Sequence, residues 1–136
     1  MLKISKLLDY GLLVTVTIAK NNSVPYSAAK IAEVTGLNIP TVRKLLNQLS
    51  IADVVASKRG IEGGYTLVKD SREVTVLDIV EAIEKDVNLT ECCDIYKQCS
   101  LKSCTVSSYW KVLNSQLLEI LSGTSIYDIV NNKGKS

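Results

Sequence analysis

Residues 36–50 read GLNIPTVRKLLNQLS, and this stretch decides the fold. Gly36 supplies the left-handed position at which a preceding helix must stop. Asn38 is a strong N-cap, and Pro40 falls in the first turn, where its missing N–H costs nothing. Val42, Leu45, Leu46 and Leu49 then recur at i, i+3, i+4 and i+7, an apolar stripe for the core. The opposite face carries Thr41, Arg43, Lys44, Asn47 and Gln48, all able to donate to phosphates or base edges.

Upstream, residues 3–20 read as a helix, with Ile4, Leu7, Leu8, Leu12, Val16 and Ala19 at spacings of three and four. It is apolar nearly all round and is expected at the centre of the fold. Asn21–Pro25 breaks it, and Ser27 caps a short helix through Glu33, with Ala28, Ile31 and Ala32 on one face. Downstream, residues 54–57 form a short strand, residues 58–64 (KRGIEGG) a turn and residues 65–68 a return strand. Three glycines in five positions mark a hairpin tip that needs positive φ or close backbone approach. Thr75 opens a helix through about Glu84, with Asp78 completing a capping box. A long helix is expected over 106–121, with Trp110, Leu113, Leu117, Ile120 and Leu121 as its stripe, and a short one near 125–130.

Helix, glycine turn, helix with a basic outer face, then a hairpin with Lys58 and Arg59 at its tip is the order of a winged helix-turn-helix. The fold class is therefore mainly α with a small β-hairpin. Residues 1–75 are the expected DNA-binding region, and residues 76–136 hold a cysteine loop and a long C-terminal dimerisation helix, the first helix also reaching the dimer interface. The helix over 38–50 suits the major groove. Arg59 can reach phosphates or a narrow minor groove. Such proteins pair so that two recognition helices meet successive turns of duplex DNA. The expected partners are thus a double-stranded DNA operator and a second copy of the chain. For the late helix, the competing reading is an ordinary intramolecular core.

Charge agrees with this division. Residues 1–60 carry eight Lys/Arg against three Asp/Glu, net +5; residues 61–136 carry eight against eleven, net −3. In 136 residues, 46% are hydrophobic and 22% charged, enough for one sizeable core and too ordered a balance for a disordered tail. The longest apolar stretch, Gly11–Ala19, falls well short of the roughly 20 residues of a membrane span. With no cleavage site after the basic first residues, a cytoplasmic location is expected. Histidine is absent, which removes the commonest general base and any serine-type triad. No phosphate loop of the Gly-rich Lys-Ser/Thr type is present either. An enzyme is not expected, nor a small-molecule substrate.

All four cysteines, Cys92, Cys93, Cys99 and Cys104, fall within thirteen residues. In a reducing compartment such a cluster points to a metal or redox centre. Structural zinc favours two-residue spacings; the wider gaps here suit a loop wrapped round an iron–sulfur cluster. Buried neutral thiols, zinc and a reversible disulfide are the competing readings. Adjacent Cys92 and Cys93 diverge, so at most three cysteines ligate one centre. A carboxylate, a serine or a small molecule must then complete it.

The chain resembles the bacterial iron–sulfur-sensing regulators typified by IscR and NsrR, most closely the branch that regulates SUF cluster-assembly genes. The matching stretches are Ile4–Gly11, the recognition helix around Leu45–Leu46, Arg59–Tyr65, Leu89–Cys92 and Trp110, six residues past Cys104. The resemblance implies a homodimer with crossing C-terminal helices, and DNA affinity set by a bound cluster. It implies Cys92, Cys99 and Cys104 as thiolate ligands, with Cys93 an alternative to Cys92, and Arg59 as the wing's minor-groove arginine. Two departures matter: the second cysteine gap is one residue shorter than in the IscR branch, and Ser107 stands where that branch has a histidine. Asp9 matches the NsrR branch's aspartate, which reaches over from the partner subunit. A two-iron and a four-iron cluster (2Fe–2S or 4Fe–4S) both remain open. The expected function is repression of cluster-assembly genes under cluster control. Its alternatives are a non-regulatory iron–sulfur or zinc carrier and a cluster-free thiol-switch regulator.

Overall fold

The computed structural model describes residues 4–61, 63–85 and 106–131. Among these described residues, six helices and two strands run in the order α1 (Lys6–Lys20), α2 (Ala28–Thr35), α3 (Ile39–Ile51), β1 (Val55–Lys58), β2 (Gly64–Leu67), α4 (Val76–Glu84), α5 (Ser107–Gly123) and α6 (Ile126–Val130). The winged helix-turn-helix order is as expected.

Local chemistry sets most boundaries. Ser5 Oγ accepts from the Leu8 N–H at 3.1 Å, so α1 starts at Lys6 rather than at residue 3. Ser27 Oγ accepts from the Lys30 N–H at 3.0 Å. At the far end of α2, Gly36 sits at φ +81°, and its N–H reaches the Ala32 carbonyl. That helix runs two residues beyond Glu33. Thr75 and Asp78 exchange side-chain bonds with each other's backbone, closing the expected box at the start of α4. Ser125 and Asp128 repeat the same box on α6.

The core lies where α1 packs on α2, α3, α4 and α6. The buried face of α1 is Leu8, Val14 and Ile18, with Thr15 and Thr17 bonded back to the Gly11 and Leu13 carbonyls at 2.8 Å each. Ile4 is exposed, and Leu7, Leu12, Val16 and Ala19 are only partly buried. The expected stripe thus lies at the core's edge, Leu7, Leu12, Val16 and Ala19 packing against it while Val14 and Ile18 take the centre. A helix apolar on every side carries no periodic mark of which side its neighbours will cover most.

A larger shift occurs on α5. Its one buried residue is Asn114, while Tyr109, Val112, Leu113 and Ile120 are exposed. Of the expected stripe only Leu121 joins the core, with Trp110 and Leu117 half-buried. Two backbone bonds tie the chain just past α5 to the root of α4: Val76 N–H to the Thr124 carbonyl (2.9 Å) and Ile126 N–H to the Val74 carbonyl (2.7 Å). No described helix is long and apolar enough to cross a membrane.

Candidate nucleic-acid interface

The candidate recognition element is α3. Asn38 Oδ1 accepts from the Thr41 N–H at 2.9 Å, and Pro40 occupies the first turn. Val42, Leu45, Leu46 and Leu49 are each 0% exposed. Burying four such side chains, at roughly 1.5–3 kcal/mol each, clamps one face of the helix to the domain. The other face is therefore fixed toward solvent. Arg43, Lys44 and Asn47 are exposed there. Thr41 and Gln48 are half-buried at its margins, and Gln48 Oε1 is shielded from solvent without a hydrogen-bond partner. A side chain in that state is held at a cost until something donates to it.

The wing comes directly after. Val54 N–H bonds the Leu49 carbonyl at 2.9 Å, which turns the chain from α3 straight into β1. Strands β1 and β2 pair antiparallel, Val55 opposite Leu67 and Lys58 opposite Gly64. Their base is buried through Val55, Thr66 and Leu67. Beyond β2 the pairing continues to Tyr26: Tyr65 N–H donates to the Tyr26 carbonyl (2.8 Å), and Tyr26 N–H donates back (3.1 Å). A Cβ on Gly64 would stand 2.5 Å from the Tyr26 carbonyl carbon, so only glycine lets the two backbones meet. This pairing roots the wing on the loop between α1 and α2. Lys58 and Arg59 are exposed at its outer end.

Among the described residues the one ion pair is Lys30–Glu33 at 3.1 Å, remote in sequence from these cations. Arg43, Lys44, Lys58 and Arg59 are thus uncompensated and available to an anion. Asp9 is exposed in the first turn of α1. Close to it, Ser5 Oγ donates to Glu84 Oε2 and ties the start of α1 to the last turn of α4. Cys92, Cys93, Cys99 and Cys104 lie outside the described residues. Reasoning from periodicity had no means of finding the Tyr26–Tyr65 bridge, which joins single residues 39 positions apart.

A capped helix presenting cations, held beside a basic two-stranded hairpin, defines a winged helix-turn-helix protein. Residues 4–132 match the Rrf2 family, described as iron-dependent transcriptional regulators. The chain belongs to that family; it is a transcriptional regulator and not an enzyme. It is 30% identical over 129 residues to an HTH-type transcriptional regulator of Aquifex aeolicus (strain VF5), covering 93% of this chain and 90% of the relative. Two solved structures are similar. CymR, the global cysteine regulator of B. subtilis, superposes with a TM-score of 0.81 at 28% identity, covering 96% of this chain and 97% of that one. IscR of T. potens gives 0.77 at 26% identity, covering 96% and 88%.

Proposed function

We propose that two copies of this chain grip a double-stranded DNA operator and that a cysteine-held iron–sulfur cluster sets how tightly they do so. The observation that carries the DNA reading is the disposition of α3: four aliphatics sealed inside, with Arg43, Lys44 and Asn47 left free outside. Arginine forks onto guanine and asparagine onto adenine in the major groove, while Lys44, Lys58 and Arg59 serve as phosphate or minor-groove contacts. Thr41 and Gln48 flank them. The proposed dimer surface is the face of α5 bearing Val106, Tyr109, Leu113 and Ile120, apolar side chains that a monomer leaves in water. Over 17 residues that helix offers about 25 Å of contact length.

The donor set suits an iron–sulfur centre. Three separated thiols, Cys92, Cys99 and Cys104, lie in a chain with no histidine, and Cys93 can stand in for Cys92. Asp9 offers a carboxylate as fourth ligand, from either subunit. Its support is local: Asp9 N–H bonds the Ser5 carbonyl, and Ser5 bonds Glu84, where α4 ends and the cysteine-bearing segment begins. When bound, the cluster would supply a redox- and iron-sensitive crosslink between those thiolates. The chain's own part is to hold the segment between α4 and α5, and so bias the spacing of the two recognition helices. Coupling of this kind is worth about 1–3 kcal/mol, or 5- to 150-fold in operator affinity. Repression of cluster-assembly genes by the loaded form is the output we favour.

Oxygen-free purification with a visible spectrum and iron and sulfide assays tests the centre, and gel shifts on genomic fragments test the DNA reading. A coloured protein whose operator affinity changes on cluster loss supports the proposal. The likeness to CymR favours a second reading, control by cysteine or thiol status without a cluster. Iron-free preparations whose DNA affinity responds only to thiol oxidation would select it.

A further inference from the structure

We propose that Ile61 is an apolar wedge that the wing drives into the minor groove, opening a base step and bending the duplex. The proposal rests on the DNA-binding reading above and adds to it a residue whose chemistry is neither cationic nor hydrogen-bonding.

Ile61 is the most exposed large apolar side chain among the described residues. A single exposed aliphatic is ordinary on a protein surface. This one is distinguished by its mounting. Gly63 N–H donates to the Gly60 carbonyl at 3.0 Å, closing a four-residue turn with Ile61 inside it. Gly60 lies at φ +121°, and a Cβ on Gly63 would stand 2.5 Å from the Lys58 carbonyl oxygen, so the turn is tight and needs glycine at both positions. The last strand pair is Lys58 with Gly64, which leaves Ile61 at the tip beyond it. At the other end, Tyr26 and the buried Val55 and Leu67 hold the hairpin fast. The wing is therefore a stiff finger with an isoleucine at its end and two cations just behind.

Reach and charge fit the minor groove. From Val55 to Arg59 four residues of strand extend about 14 Å. Half a helical turn of DNA, the step from a major groove to the adjacent minor groove, is about 17 Å. Lys58 and Arg59 draw the finger to a narrow, electronegative groove. Proteins that bind there commonly insert an aliphatic between base steps and bend the duplex by about 20–90°. A lone tip residue is far too small for a protein-docking patch, which takes several hundred Å².

The test uses the full chain, purified without oxygen, and a pool of randomised duplexes about 30 base pairs long, three helical turns. From that pool the wild type selects its own sites, and end-to-end fluorescence transfer then reads the bend. Ile61→Ala touches no core contact and should fold as the wild type does. We expect it to bind the selected duplex about tenfold more weakly, with a smaller bend and an unchanged salt slope, since no phosphate contact is lost. Ile61→Leu should restore affinity and bend. Arg59→Ala should instead flatten the salt slope. Sites selected by the wild type should carry a flexible pyrimidine–purine step under the wing, and those selected by Ile61→Ala should not. Equal affinity and bend for wild type and Ile61→Ala overturn the wedge while leaving the DNA reading intact. A wild type that selects no duplex at all overturns both.

Discussion

Gly64 and Tyr26 lie backbone against backbone: a Cβ on the glycine would come 2.5 Å from the tyrosine's carbonyl carbon and 2.6 Å from its oxygen. This contact joins the wing to the loop between α1 and α2, ahead of the helix-turn-helix. Gly64→Ala must push Tyr26 away and break the pair of bonds at Tyr65. We expect a loss of about 1–3 kcal/mol, the usual range for an overpacked contact, read as a lower urea midpoint at unchanged slope. Gly123→Ala, which meets nothing within 4 Å, serves as control and should leave stability unchanged or raise it. A Gly64→Ala midpoint equal to wild type would show that the wing is not docked as described.

Asn38 caps α3 through the Thr41 N–H. Asn38→Ala should cost about 1 kcal/mol, and Asn38→Asp should recover most of it. Hydrogen exchange of the first turn of α3 locates the effect: protection of Thr41 should fall in the alanine variant. Unaltered protection there would mean the cap contributes nothing.

Arg43 and Lys44 are adjacent and exposed, yet their replacement should have different signatures. Arg43→Ala should cost about 1–3 kcal/mol on the preferred site and relax selectivity at one base pair. Lys44→Ala should weaken all duplexes alike and reduce the salt slope by about 1. Competition binding with single-base variants of the selected site separates them, and identical profiles would undo the assignment of roles.

Affinity should fall steeply with salt. Two subunits each neutralising about three phosphates give a slope near −5 for log affinity against log salt. A titration on selected DNA that returns a slope shallower than about −2 would remove the electrostatic basis of the interface.

Cys99→Ala should abolish the visible absorption of oxygen-free preparations and lower bound iron to background, leaving the thermal melt of the winged portion in place. Equal operator affinity in the loaded wild type and Cys99→Ala would defeat cluster control, whatever the colour.

Much of this arrangement is legible in the sequence because short-range chemistry sets it. Asn38, Ser27 and Thr75 sit at helix starts, and their bonds reach only three residues ahead. The stripe Val42, Leu45, Leu46 and Leu49 is legible for a different reason: the opposite face is polar from Thr41 to Gln48 and turns apolar only at Ile51, the last residue of the helix, so one periodic reading survives. On α1 and α5 that contrast is missing. Apolar residues surround α1, so its named stripe packs at the edge of the core while Val14 and Ile18 take the centre. Helix α5 mixes Leu113 and Ile120 with a buried Asn114, and there periodicity names a face that packing within the chain largely leaves exposed. The Ser125–Asp128 box has the same spacing as Thr75–Asp78 and is equally readable. Of the candidate site, the exposure of Arg43, Lys44, Asn47, Lys58 and Arg59 follows from patterning. Ile61 belongs to no pattern, and only the shape of its turn gives it meaning.

The strand-like bridge at Tyr26 has one more consequence. A ribbon of two short strands normally offers two open flanks, each a row of backbone donors and acceptors that invites other chains to add on. Here Tyr26 occupies part of the flank beside β2, while the flank of β1 ends in Lys58 and Arg59, whose like charges repel a second ribbon. Crowded together, molecules of this kind are protected from zippering into aggregates through their hairpins.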